Sequence, residues 1–152
     1  MHTNEHFITC GGCVKNPVTF ASERIIKVWK VEDFDSLTQK ARLNTGHKRA
    51  IEHSFLMNKT HVVSFSSDKS IRFSNIAVEE ITTVVETNFE PLTGCQLDYN
   101  SVISGGNYKS LKMFDLRLKK GILGPIPLKW DLVQVVNMLR FTDHQILISN
   151  IN

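Results

Sequence analysis

Ile71-Arg72-Phe73-Ser74-Asn75-Ile76 reads as a strand of aliphatic, basic and bulky residues, and the chain writes that strand three times. Ile26-Lys27-Val28-Trp29-Lys30-Val31 precedes it by 45 residues, and Leu111-Lys112-Met113-Phe114-Asp115-Leu116 follows it by 40. A period of ~40–45 residues is that of a four-stranded module stacked on copies of itself. One such sheet cannot bury both of its faces, so each copy must lean on its neighbours.

Working outward from Ile71 gives the rest of the second unit. Gly46-His47 opens it, residues 50–56 predict an innermost strand, and Met57-Asn58-Lys59-Thr60 is a polar turn. Residues 61–66 predict a second strand, rich in β-formers at Val62 and Val63. Ser67-Asp68-Lys69-Ser70 is a tight turn, with Asp placed to bond its own backbone. Residues 81–86 fit an outer fourth strand.

The third unit repeats that order, with strands predicted over 92–97, 101–104, 111–116 and 122–128. Gly105-Gly106-Asn107 is read as a chain break before the third of these. Pro125 and Pro127 confine the last strand to an edge, because proline cannot donate to a ladder. The first unit lacks an opening strand, and Phe7-Ile8-Thr9-Cys10-Gly11-Gly12 aligns with Ser101-Val102-Ile103-Ser104-Gly105-Gly106. Residues 135–141 and 145–149 predict the first two strands of a last unit. The units fall at about 7–45, 46–88, 89–130 and 131–152.

The 152 residues carry a net charge of +3 and are 41% hydrophobic and 22% charged, ordinary values for a globular chain. Basic residues are dispersed, which argues against a nucleic-acid groove. Three cysteines make no disulfide framework, and no apolar run approaches the ~20 residues that span a bilayer as a helix. The expectation is a soluble cytoplasmic or nuclear protein without a membrane partner.

These residues resemble the WD-repeat β-propeller family. Gly46-His47, the turn Asp68 and the strand from Ile71 keep the family's order. Phe114-Asp115 stands where the signature Trp-Asp would, Trp29-Lys30 keeps the Trp, and Ser74-Asn75 replaces the pair. The resemblance implies an all-β fold of WD-repeat β-propeller blades, each of four antiparallel strands. It also implies a buried hydrogen-bond network of His47, Asp68 and Ser64 or Ser66, with Trp29, Phe114 and Asp115 in the equivalent roles of neighbouring blades. The second unit lacks the Trp, so its network is expected to be incomplete and its blade less rigid. About three and a half units are fewer than the 4–8 blades that close a ring. The chain is therefore expected to be an incomplete ring, a piece of a longer propeller whose open strand edges favour aggregation or pairing.

Four chemical readings compete for the functional site. His2, His6, Cys10 and Cys13 have the residue types of a zinc or thiol-redox set. Against it, Cys10 ends a strand, and no helix pattern follows Cys13. Phe114-Asp115-Leu116-Arg117 is similar to the Trp-Asp-x-Arg signature by which some WD-repeat proteins serve as substrate receptors of a cullin-type ubiquitin ligase; the resemblance would have Arg117 meet the ligase adaptor. Tyr108, Lys109, Lys112, Arg117, Lys119 and Lys120 have the chemistry to touch RNA as in a ribonucleoprotein, but the modest net charge makes them a solvated face. His47, His53, His61 and His144 form no catalytic motif, and Trp130-Asp131 is read as a loop or a strand edge. No phosphate-binding glycine loop is present, so no cofactor, metal or small-molecule substrate is expected.

The leading expectation is a non-catalytic protein-interaction scaffold. Its loops would present Lys48, Arg49, Lys69, Tyr108 and Lys109, with Arg117, to partner proteins or peptides.

Overall fold

The computed structural model describes residues 6–10, 24–33, 36–106, 108–115, 117–118, 122–127, 134–142 and 145–151. They form thirteen strands and, among the described residues, no helix. Four antiparallel sheets follow one another along the chain. The first has β1 (His6–Cys10), β2 (Ile25–Asp33) and β3 (Ser36–Asn44), in that order. The second orders β4 (Ile51–Met57), β5 (His61–Ser66), β6 (Ser70–Asn75) and β7 (Glu80–Glu86) from inside to outside. The third repeats it with β8 (Pro91–Gln96), β9 (Ser101–Gly106), β10 (Tyr108–Asp115) and β11 (Ile122–Pro127). The last is the pair β12 (Gln134–Thr142) and β13 (Gln145–Ile151).

The 40-residue offset survives in the register. Ser64 pairs with Arg72 and Ser104 with Lys112; Val62 pairs with Ser74 and Val102 with Phe114. Innermost strands adjoin, β4 against β8 and β8 against β12, so the sheets fan about a common side without closing into a ring. The proline-bearing β11 lies at the outer edge of its sheet, where a missing donor costs least.

Apolar side chains fill the gaps between sheets. Ile26, Val28, Ala41 and Leu43 meet Ile51 and Val62 between the first and second sheets. Phe65, Phe73, Val63 and Met57 meet Val102 and Phe114 between the second and third. Cys95, Ile103 and Leu111 meet Met138 between the third and fourth. Each core is therefore shared by two sheets, which is the arrangement the repeat demands.

Three expectations are corrected. The Gly105-Gly106 pair does not break the chain, because β9 runs through both residues. A Cβ on Gly106 would stand 2.1 Å from the Glu90 carbonyl oxygen, so glycine is there for close backbone approach. Tyr108 and Lys109 consequently lie on β10 and not on a loop. The first-unit alignment is also one residue out. Thr9 pairs with Lys27 as Ser104 pairs with Lys112, so Thr9 takes the place of Ser104 and Cys10 that of Gly105. A one-residue slip inverts every side chain across the sheet, which is why pairing corrects what matching glycines suggested. The structure also adds β3, a nine-residue strand not singled out in the sequence.

Candidate functional site

The loop into β4 and the turn from β5 to β6 meet at one end of the second sheet. His47 enters from the first, 2% exposed, and Asp68 from the second. His47 Nδ1 lies 3.1 Å from Asp68 Oδ2 and 3.3 Å from Oδ1, and Nε2 lies 2.9 Å from Ser64 Oγ. A neutral ring satisfies all three contacts, with Nδ1–H donating to the carboxylate and Nε2 accepting the Ser64 hydroxyl. Burial holds the imidazole pKa below its usual value of 6.5 against the opposing pull of the Asp68 charge. Burial raises the Asp68 carboxyl, but hydrogen bonds from Ser70 and the Lys48 N–H, with His47 beside it, outweigh that and hold it at about 2.

Ser66 does not reach His47. Its hydroxyl accepts the Asp68 N–H at 3.1 Å and donates to the Arg49 carbonyl at 3.4 Å. Ser70, not singled out from the sequence, donates its hydroxyl to Asp68 Oδ1 at 2.6 Å. Arg72 Nη1 donates to the Thr45 carbonyl, Thr45 Oγ1 to the Arg24 carbonyl and Arg24 Nη1 to the His47 carbonyl, all within 2.9 Å. These bonds tie the network to the chain entering β2. Ser74, where Phe114 stands in the third sheet, is buried, and its hydroxyl has no hydrogen-bond partner among the described residues. Trp29 lies half-buried on β2, in the neighbouring sheet.

The network fixes the backbone of the loops that carry three cations at its rim. The Lys48 N–H donates to Asp68 Oδ2 at 2.7 Å, and Lys48 is exposed. Arg49 is exposed and faces Glu90 across 3.7 Å. Lys69 takes a left-handed φ of 67° at the turn and is also exposed. Arg117 stands apart, after β10. Its N–H and Nε each donate to Asp115 Oδ1 at 2.9 Å, and Nη2 bonds Oδ2. Arg117 holds the Asp115 carboxyl at about 2 through those bonds, so two of its guanidinium nitrogens are already engaged.

Cys13, His2, His144 and the Trp130-Asp131 pair lie outside the described residues, as do the side chains of His6, Cys10, Tyr108 and Lys109. Among the described residues no cluster of His, Cys, Asp and Glu could hold a metal ion. The half-buried His53 lies 5.9 Å from the Phe65 ring, between the second and third sheets.

The structure matches the crystal structure of the WD40 beta propeller domain of Doa1 with a TM-score of 0.71. The match covers 99% of this chain and 45% of that one at 13% sequence identity. The fold is that of a WD40 β-propeller. The chain spans less than half the length of that domain, so its sheets are propeller blades that do not complete a ring. No family model matches the sequence, and no curated protein does. On the propeller, the His47 network sits where the loop between blades meets the middle turn of the second blade. There it holds two loops together without exposing its own polar atoms.

Proposed function

We propose that the chain is a non-catalytic protein-interaction scaffold of the cytoplasm or nucleus, and that it binds partner proteins through the His47 end of the second blade. The observation that carries this reading is the buried network itself. Asp68 accepts from His47, Ser70 and Lys48, so the loops bearing Lys48, Arg49 and Lys69 are ordered before any partner arrives. Preordered loops lose little freedom on binding, and exposed cations on them favour acidic partner surfaces. The WD40 propeller fold supports a scaffold in general terms.

Photo-crosslinkers placed singly at Lys48, Lys69 and Lys59 test it, since Lys59 lies at the other end of the same blade. Discrete adducts from the first two, weakened by Arg49→Glu, are expected. Equal adducts from all three positions would remove the reading. A substrate-receptor role on a cullin-type ubiquitin ligase asks Arg117 to meet the adaptor while two of its nitrogens bond Asp115. Adaptor binding lost on Arg117→Ala would be needed to sustain it.

A further inference from the structure

Gly46 is exposed between two buried residues, Thr45 and His47, and two half-buried arginines grip those neighbours. Arg24, from the first blade, donates Nη1 to the His47 carbonyl at 2.8 Å. Arg72, from the second, donates Nη1 to the Thr45 carbonyl at 2.9 Å. We propose that the notch over Gly46 is an anion site, in which Arg24 and Arg72 together hold a phosphate group at the junction of the first and second blades.

The junction is short of negative charge. Neither arginine makes an ion pair among the described residues. Arg72 Nε reaches the Asp68 carboxylate only through the Ser70 hydroxyl, by bonds of 3.3 and 2.6 Å. That carboxylate already accepts from His47 and the Lys48 N–H. Two guanidinium charges therefore face one carboxylate across an intervening hydroxyl. Both add to the effect of burial in lowering the pKa of the His47 ring. Charges drawn out of water are ordinarily matched by an opposite charge, and an anion over Gly46 supplies it.

The donors are in place. Arg24 Nε is buried without a partner. The Nη2 of each arginine also makes no hydrogen bond among the described residues, but neither is sealed from water. Gly46 has no side chain to cover them: a Cβ there would stand 2.7 Å from Arg72 Nη1, and its φ of 64° is left-handed, a conformation glycine adopts freely. Donors arriving from two blades ask for a ligand with acceptors in more than one direction. A tetrahedral phosphate has them, whereas a carboxylate keeps its two oxygens in one plane and chloride offers charge alone.

The test is a nitrogen–proton NMR titration of the full chain with sodium phosphate, and separately with sodium acetate, each against sodium chloride at equal ionic strength. Phosphate should give saturable shifts at Gly46, His47 and the Nε–H of Arg24 and Arg72, at a Kd of roughly 1 mM. It should also raise the thermal midpoint, as binding to the folded state alone requires. Arg72→Lys keeps the charge and a donor for the Thr45 carbonyl but loses the fork, and should weaken phosphate binding roughly tenfold. Arg24→Gln should weaken it as much, and Lys48→Gln or Lys69→Gln by less than about twofold. No saturable shift in the parent chain overturns the proposal whatever the variants do. So do equal shifts with phosphate and chloride (an adventitious ion only), tighter binding of acetate, or folded Arg24 and Arg72 variants that keep the parent affinity. The scaffold reading rests on Lys48, Arg49 and Lys69, so its failure and this one are read in different variants.

Discussion

His47 and Asp68 make the stability of the second blade sensitive to acid, and the sign follows from their environments. Burial keeps the folded His47 neutral below 6.5, where the unfolded chain takes a proton. Stability is therefore full above 6.5 and falls as the pH drops through it. Burial of His53, only partly offset by its hydrogen bond to the Gly94 backbone, acts in the same direction. Asp68 stays ionised to about 2 in the folded state but protonates near 3.8 when unfolded, so a second loss lies between those values. Thermal midpoints measured from pH 7.5 to 2 should fall in both windows. Asp68→Asn should flatten the lower step and cost roughly 1–3 kcal/mol at neutral pH, since it leaves buried donors without their acceptor. An unchanged lower step in that variant would show that the carboxylate does not carry it. Ser74 presents the converse case, a buried hydroxyl with no partner among the described residues. Ser74→Ala should raise stability by about 1 kcal/mol in urea unfolding; a loss of that size would mean the hydroxyl has a partner in solution.

At the scale of single strands, most of the second and third blades was legible. Residues 61–66 were read to the residue as β5, and the other strands of these two blades to within about three residues at each end. Apolar alternation bounded by local turn chemistry is a signal the sequence carries openly. The His47–Asp68 pair was legible for a similar reason, since Gly-His and a turn Asp at fixed spacing are local marks. Arg24, Thr45 and Arg72 were not, because their role depends on two blades approaching each other; Ser70 was missed although its bond to Asp68 is local to one turn. Gly106 shows how a local rule misleads: glycine reads as a break, yet here it admits the Glu90 carbonyl. Gly106→Ala must push that backbone aside, and overpacking of this kind typically costs ~1–3 kcal/mol. Hydrogen exchange should show the loss at β8 and β9 first. A variant as stable as the parent would mean that Glu90 and Gly106 lie farther apart than described.

Across the whole molecule, blades are coupled through shared cores, and the largest of those cores described lies between the second and third. Phe65 is fully buried and points out of its own blade. A Cβ on Gly94 of the third blade would stand 2.4 Å from its ring, so the ring lies directly on that backbone. His53 and Phe55 flank it at 5.9 and 5.8 Å, and Val102 and Phe114 of the third blade belong to the same core. Phe65→Ala opens a cavity that belongs to both blades, and truncation of a buried Phe costs about 3–5 kcal/mol. In a repeat array, stability is approximately the sum of terms within units and between neighbours, and this substitution falls mainly on the term between them. Native-state hydrogen exchange should therefore lose protection in β4–β7 and β8–β10 together, while β2 and β3, packed on the separate core of Ile26, Val28, Ala41 and Leu43, change less. The control is Leu43→Ala, which removes a fully buried side chain from that other core and should loosen the first and second blades instead. If Phe65→Ala exposes the second blade alone and leaves β8–β10 protected, the blades are stable one by one, and the stacking that the 40-residue repeat demands is not what holds this chain together.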